Sequence, residues 1–383
     1  MCAVDLPMNE PAVRTFVSAP TAPGDRGEEF GAVHAEMIAA TIESYRELFA
    51  AVAGSAVDLR PLGEEALAAI AGFSNDAAAE IRGIAAGAGL EPWEVAALNA
   101  RTEILARLGV AARGECSTIV DLRPGGHAPL TMQTWDWHDV FADRWLVWTI
   151  EQPDGSVVHT LTEYGILGKI GVSSRGLGVH LNILHHASDG GPDGVPVHIL
   201  CRAVLDRARD AGEAVEIIGP AAVSASSVIT VIGASDAGMT AVGAELAPAG
   251  PRYVLPSPDG RYIHTNHFLD PHLAAGDEAP RTGPDSYLRL EVLRRRLHNR
   301  VIDEPEDLRE ILADHSAGAG SVCCHPAEGA QLGDRWATLA TVALDVCSGE
   351  LMVRPGGPCD ERALWHRTGA TALNGSVPQP SVT

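Results

Sequence analysis

Of all the residues in this 383-residue chain, Cys116 is the one best placed to do chemistry. It opens a short β-branched run, Ser117-Thr118-Ile119-Val120, at the seam where an Ala-rich helical pattern gives way to strand patterns. A thiol accepts an acyl group once a base removes its proton. If the chain is cut just before Cys116, the freed α-amine is such a base. Its unperturbed pKa is about 7.7–8.0, and it is covalently held beside the thiol, so no histidine is required. A lone cysteine at a strand start is more commonly a buried structural residue, so the case depends on what surrounds it. Further along, Trp135-Asp136-Trp137 sets a carboxylate between two large aromatics on a β-type segment, on a strand reachable from Cys116 through the Pro124-Gly125-Gly126 turn. Asp136 there could orient the new amine; core packing and a turn cap would also explain the triplet. Asn266, in Thr265-Asn266-His267-Phe268, and Asn182, in the alternating segment 176–184, each carry an amide donor able to stabilise an oxyanion, although a turn asparagine explains either one singly.

His180, His185, His186 and Asp189 lie close together, but their spacing matches no zinc template, and fifteen histidines in one chain cluster by chance. No metal and no cofactor are expected, and a chelator should leave activity unchanged. His138 and His267, each beside a candidate site residue, are expected to line the pocket together with Trp135 and Trp137. The adjacent Cys323 and Cys324 read as structural. The glycines of 83–89 lack a preceding strand and phosphate-binding spacing.

These residues must be positioned by a sizeable core, and 46% hydrophobic residues with 20% charged provide one. A net charge of -22 argues against nucleic acid or an anionic membrane as partner. Arg294-Arg295-Arg296 reads as a solvated helix face. No apolar run reaches the length of a membrane span, no secretory signal is visible, and seven cysteines without a CxxC spacing fit a reducing cytoplasm. Ile38, Ile42, Tyr45 and Phe49 fall on one helix face, with further helical stretches near 62–73, 76–88 and 91–108. After residue 115, strands are expected at 117–122, 144–151, 156–163, 176–184, 226–232, 261–266, 337–345 and 350–354, with helices near 196–210, 284–299 and 305–314. The first 25 and the last dozen residues read as frayed. The fold class is α+β: a helical segment, then a body of many antiparallel strands.

In this order, the motifs resemble the acyl-coenzyme A:6-aminopenicillanate (isopenicillin N) acyltransferase family of N-terminal-nucleophile (Ntn) hydrolases. The resemblance rests on the helical stretches 26–49 and 80–105, Cys116-Ser117-Thr118, Trp135-Asp136-Trp137, the glycine-rich strand at 176–182, Thr265-Asn266-His267-Phe268 and Asp285-Ser286-Tyr287-Leu288-Arg289. It implies a four-layer αββα sandwich, self-cleavage between Glu115 and Cys116, and no cofactor. Residues 1–115 become a helical pro-segment, and residues 116–383 the catalytic body, the two staying associated as a heterodimer. Cys116 is then the nucleophile, Asp136 a site carboxylate and Asn266 the oxyanion donor. Asn182 and Arg289 are carried over by looser similarity to the bile-salt-hydrolase branch. Two positions depart from the pattern: Glu115 stands where Gly is usual, and Thr134 where Asn is usual, with the loss of a pocket hydrogen bond expected. Cys2, N-terminal after loss of Met1, is set aside because neither a strand pattern nor a Trp-Asp motif follows it. The expected activity is hydrolysis of a linear amide of a small N-acylated compound. The alternative is acyl transfer from a coenzyme A thioester to an amine, and an unprocessed, non-catalytic binding protein of the same fold is the reading of another class.

Overall fold

The structure, a computed structural model, describes residues 13–109, 116–123, 127–192, 194–235 and 238–369. Glu115, Cys2 and the Pro124-Gly125-Gly126 turn lie outside the described residues. Five helices precede Cys116: α1 (Pro23–Ala53), α2 (Leu59–Phe73), α3 (Asn75–Ala88), α4 (Pro92–Asn99) and α5 (Arg101–Arg107). Pro23 starts α1, where its missing N–H costs nothing, and Gly54 ends it at a φ of 70°, a left-handed cap that suits glycine. Ile38, Ile42, Tyr45 and Phe49 all face the core, as their spacing requires.

The strands form two sheets. The larger contains β1 (Thr15–Ser18), β4 (Trp145–Glu151), β5 (Val157–Glu163), β6 (Ile170–Ser173), β7 (Leu177–Ile183), β8 (Ser227–Ser235), β9 (Gly238–Leu246) and β10 (Arg252–Val254), side by side in that order. The smaller runs β11 (Arg261–His264), β2 (Ser117–Asp121), β3 (Leu130–His138), β12 (Trp336–Asp345), β13 (Glu350–Pro355) and β14 (His366–Arg367). Helices α6 (Val197–Arg207) and α7 (Ala211–Ile218) pack on the outer face of the larger sheet. Two short turns of helix, α8 (Pro271–Ala274) and α9 (Ala279–Thr282), lead to α10 (Asp285–Leu297) and α11 (Pro305–Leu312), which cover the smaller one. The two sheets meet through β2 with β7 and through β12 and β13 with β5 and β6. This is the αββα sandwich expected from the resemblance. One apolar core runs from Phe30 to Val353, on both sides of Cys116. A second, between the smaller sheet and α10 and α11, contains Ile119, Met132, Leu293 and Ile311.

The leading segment departs from expectation. Residues 13–25 are not frayed: β1 pairs in parallel with β4, Thr15 opposite Val147, and Trp148 donates to Ser18 Oγ at 2.8 Å while stacking on Phe30. The segment before Cys116 is therefore not wholly helical, since it contributes an edge strand to the sheet of the body. Strands β6, β9 and β10 and helix α7 were not expected either. Buried charge also crosses the seam. Glu80 of α3 accepts from Arg26 of α1 at 2.7 Å and from Arg202 of α6 at 3.0 Å, all three fully enclosed.

Of the glycines of 83–89, Gly83 and Gly87 have a packing role, and Gly89 caps α3 at a φ of 68°. Helices α1 and α3 cross so closely that a Cβ on Gly83 would lie 2.1 Å from Gly24 O, and one on Gly87 2.0 Å from Glu28 O. Gly27 and Gly31 are matched in the same way against Glu80 and Ile84. A helix interior ordinarily gains about 0.5–1 kcal/mol from Gly→Ala. Here the added methyl meets backbone, so Gly87→Ala should instead destabilise the protein by about 1–3 kcal/mol, read as a lower urea midpoint.

Candidate active site

Strand β2 begins one residue after Cys116, and its antiparallel register with β3 sets Ser117 opposite Thr134. Cys116 is only 4% exposed. Its thiol meets the backbone carbonyl of Asp136 at 3.8 Å. Burial pushes the thiol up to about 12; the nearby Asp136 adds to the shift, and Lys169 and Arg289 oppose it. A thiol so placed stays protonated at neutral pH, so attack requires a base that takes the proton as the bond forms.

The backbone of Cys116 is clamped. Asn182, on β7 of the facing sheet, donates Nδ2–H to Cys116 O at 3.0 Å, while its Oδ1 accepts from Thr118 Oγ1 at 2.8 Å. Arg289, from the first turns of α10, donates Nη1–H to the same carbonyl at 3.1 Å and to Ser117 Oγ at 3.1 Å. Its Nη2 donates to Asn266 Oδ1 at 3.0 Å, and Nε pairs with Asp285 at 3.2 Å. Asn266 donates one Nδ2–H to Ile183 O at 2.9 Å; a side-chain amide carries a second N–H. The structure thus brings together Cys116, Asp136, Asn182, Asn266 and Arg289.

Asp136 is fully buried, and Thr134 Oγ1 donates toward its Oδ2 at 3.5 Å while accepting the Ser117 N–H at 3.2 Å. Thr134 is therefore engaged at the site, where a lost hydrogen bond was expected. Trp135 and Trp137 cover buried cations: Lys169 Nζ sits 3.8 Å from the Trp135 ring centre, and the Arg101 guanidinium 4.0 Å from that of Trp137. His138 packs against Trp137 and Trp336. His267 bonds Ser286 Oγ at 2.7 Å and stacks on Tyr287, pinning the start of α10. Among the described contacts, neither histidine meets the Cys116 thiol, so Cys116 is not part of a Cys–His pair there.

His180 is bonded to Thr131 and to Gln133, and His186 to Ser188. These histidines do not gather with Asp189 into a ligand set; the group that does converge among the described residues is a different one. A cavity of about 860 Å³ lined by Asp121, Arg123, Arg294 and Arg300 lies at the far end of β2 from Cys116, away from the convergent polar groups.

Lys169 was not foreseen. It is the only lysine in the chain, and it is fully buried, paired with Glu163 and close enough to Cys116 for their charges to interact. Burial brings it down to about 7 against the pull of Glu163. Arg101 also pairs with Glu163 at 3.1 Å, and Tyr45 of α1 donates to it. Burial alone would raise Glu163, but Arg101 and then Lys169 outweigh it and hold the carboxyl at about 2. A single lysine in a chain rich in arginine was the available signal.

A family model described as "Acyl-coenzyme A:6-aminopenicillanic acid acyl-transferase" matches residues 123–358. The chain belongs to that family. It is accordingly an enzyme of an acyltransferase family. A relative from Emericella nidulans, "Acyl-coenzyme A:6-aminopenicillanic-acid-acyltransferase 40 kDa form", is 31% identical over 280 residues, 73% of this chain and 74% of that one. Two solved structures are similar at 14% identity. Penicillin V acylase from Agrobacterium tumefaciens covers 67% of this chain and 88% of its own, with a TM-score of 0.46. The Caenorhabditis elegans ortholog of N-acylethanolamine-hydrolyzing acid amidase covers 61% and 93%, with a TM-score of 0.42. The family match begins after Cys116. No helix among the described residues is long and apolar enough to cross a membrane.

The buried histidines predict that this family member loses stability in acid. Burial, and then Arg101, hold His138 at about 3; burial, and then His264 and Arg289, hold His267 at about 3. Unfolded, both take up protons below 6.5, so between 6.5 and about 3 the unfolded state binds more protons. Their contribution is full above that window and is lost as the pH falls through it. Glu163 adds a loss of the same sign from 4.5 down to about 2. The urea midpoint should therefore fall from about pH 6 downward and more steeply below about pH 4.5, and His267→Gln should flatten the upper part of the curve.

Proposed function

We propose that the chain is a self-processing Ntn enzyme that cuts the Glu115–Cys116 bond and then cleaves a linear amide of a small N-acylated compound through a Cys116 thioester. The observation that carries this reading is the double clamp on the Cys116 carbonyl by Asn182 and Arg289, beside the buried Asp136.

In maturation the Cys116 thiol attacks the Glu115 carbonyl. The C–N bond breaks, an N-to-S shift leaves Glu115 as a thioester, and the Cys116 nitrogen leaves as an α-amine. Water then hydrolyses the thioester, releasing the Glu115 carboxylate and restoring the thiol. In turnover the α-amine takes the thiol proton as sulfur attacks the substrate carbonyl. The free N–H of Asn266 stabilises the oxyanion, and the amine passes the proton to the leaving nitrogen. Water, activated by the same amine, completes hydrolysis. Asp136 balances the charge of the Cys116 ammonium. The thiol in the intact chain is enclosed, so processing also serves to admit substrate. Residues 1–115 and 116–383 stay together as a heterodimer; the shared core, β1 and the Glu80 and Glu163 clusters support this. The protein works in the cytoplasm.

A second reading, acyl transfer from a coenzyme A thioester to an amine, is favoured by the name of the Emericella nidulans relative. The two separate in one assay: transfer consumes the thioester only when an amine acceptor is present, and hydrolysis does so without it.

Mass spectrometry of the wild-type protein should show two chains, the larger beginning Cys-Ser-Thr-Ile-Val. Cys116→Ala should give one uncut, inactive chain, and Cys116→Ser slow or absent cleavage, because a hydroxyl is far less acidic than a thiol. An uncut wild-type chain with full activity would sink the maturation step. Asp136→Asn should leave the melting temperature within a few degrees yet lower turnover on the order of 10²-fold, since an amide cannot balance the ammonium. Unchanged turnover would make Trp135-Asp136-Trp137 mere core.

A further inference from the structure

His315, Cys323, His325 and Cys359 stand apart from the chemistry just described, and their donor atoms all lie within 4.8 Å of one another. His315 follows α11, Cys323 and His325 lie on the loop leading into β12, and Cys359 is on the turn after β13. His325 Nε2 is 3.1 Å from His315 Nε2, 3.5 Å from Cys323 Sγ and 3.4 Å from Cys359 Sγ. One imidazole nitrogen offers a single proton or a single lone pair, so three such neighbours cannot all be its hydrogen-bond partners. A tetrahedral ion with bonds of about 2.0–2.1 Å to nitrogen and 2.3 Å to sulfur requires N···N edges of about 3.3–3.4 Å and N···S edges of about 3.5–3.6 Å. The three distances from His325, 3.1, 3.5 and 3.4 Å, lie close to those edges, and small side-chain shifts bring the four donors onto one ion.

From this convergence we infer that the four residues form a Cys₂His₂ site for a single zinc ion. Two thiols, two imidazoles and no carboxylate exclude the oxygen-seeking magnesium and calcium. With four protein ligands there is no open position, so the ion is structural and not catalytic. Loading releases the two thiol protons as two Zn–S bonds form, and two thiolates neutralise the Zn²⁺ charge. Gly357 is required by the packing: a Cβ there would lie 2.7 Å from Cys323 Sγ. The partial exposure of His315, His325 and Cys359 gives the ion a way in.

The ion staples two loops on either side of the β12–β13 hairpin. Beyond Cys323, Cys324 N donates to Thr338 Oγ1 and Thr338 N to Cys324 O, both at 3.0 Å. Thr338 is the β12 residue opposite Asp136. The zinc thereby braces the strand behind the site carboxylate.

The test is metal content in the full, tag-free chain equilibrated with zinc and dialysed. About one zinc per chain is expected in the wild type and in Cys116→Ala, and none in Cys359→Ser or His325→Ala. Cobalt(II) in its place should show thiolate-to-metal charge-transfer absorption and intense tetrahedral d–d bands, and a chelator should lower the melting temperature until zinc is restored. If the variants fail to fold, the wild-type cobalt spectrum decides. A wild-type chain without stoichiometric zinc, retention of zinc by Cys359→Ser, an octahedral cobalt spectrum, or a native Cys323–Cys359 disulfide found by mass under non-reducing conditions would each overturn the inference.

Discussion

The guanidinium of Arg289 is the contact on which the arrangement at Cys116 depends. One planar cation donates to the carbonyl of Cys116, to Ser117 and to Asn266, and pairs with Asp285 on its own helix. It joins the head of β2, the loop after β11 and the start of α10 at a single point. Arginine suits this because its donors point in fixed directions in one plane; lysine would offer one charge with no such fan. Burying that charge is costly unless every donor finds an acceptor, so the requirement passes outward to its neighbours. Asn266 must present its oxygen to Arg289, which turns its nitrogen toward Ile183. Ser286 and His267 must in turn hold the first turn of α10 in place.

A second buried cluster does for the two halves of the chain what Arg289 does for the site. Glu163 accepts from Arg101, Lys169 and Tyr45, two of which come from the segment before Cys116. Lys169 and Arg101 lie against the faces of Trp135 and Trp137, so the aromatic pair on either side of Asp136 is seated on charges supplied partly by the leading helices. Asn99 reaches across too, donating to Gly165 O and accepting from Leu167 N. Fold and site are thus coupled through the same buried groups, and removal of the leading segment would expose both.

Much of this was legible because local pattern and tertiary role coincide. In Asp285-Ser286-Tyr287-Leu288-Arg289, four of five positions have visible duties: Asp285 pairs with Arg289, Ser286 caps Asn266 N, Tyr287 stacks on His267, and Arg289 reaches Cys116. The alternation of 176–184 delivered Asn182 to the inner face of the larger sheet. Other features had no local signature. β1 is four residues long and follows a proline-rich start, and it is a strand only because β4 offers a free edge. Strand β9 has Gly and Ala where β-branched residues would have marked it. The convergence of His315, Cys323, His325 and Cys359 depends on two loops meeting across a hairpin, with Cys359 far along the chain from the other three. Thr134 looked like a loss because its hydrogen bond runs to a backbone N–H that sequence does not display.

The single lysine also bears on the surface. Apart from the histidines, all other basic side chains are arginines, so the folded chain presents guanidinium groups and no exposed side-chain amine. Activated acyl compounds modify amines without any catalyst, and guanidinium groups, protonated and delocalised, resist them. With Lys169 sealed behind Trp135, the single side-chain amine of the chain is kept out of reach of any such compound.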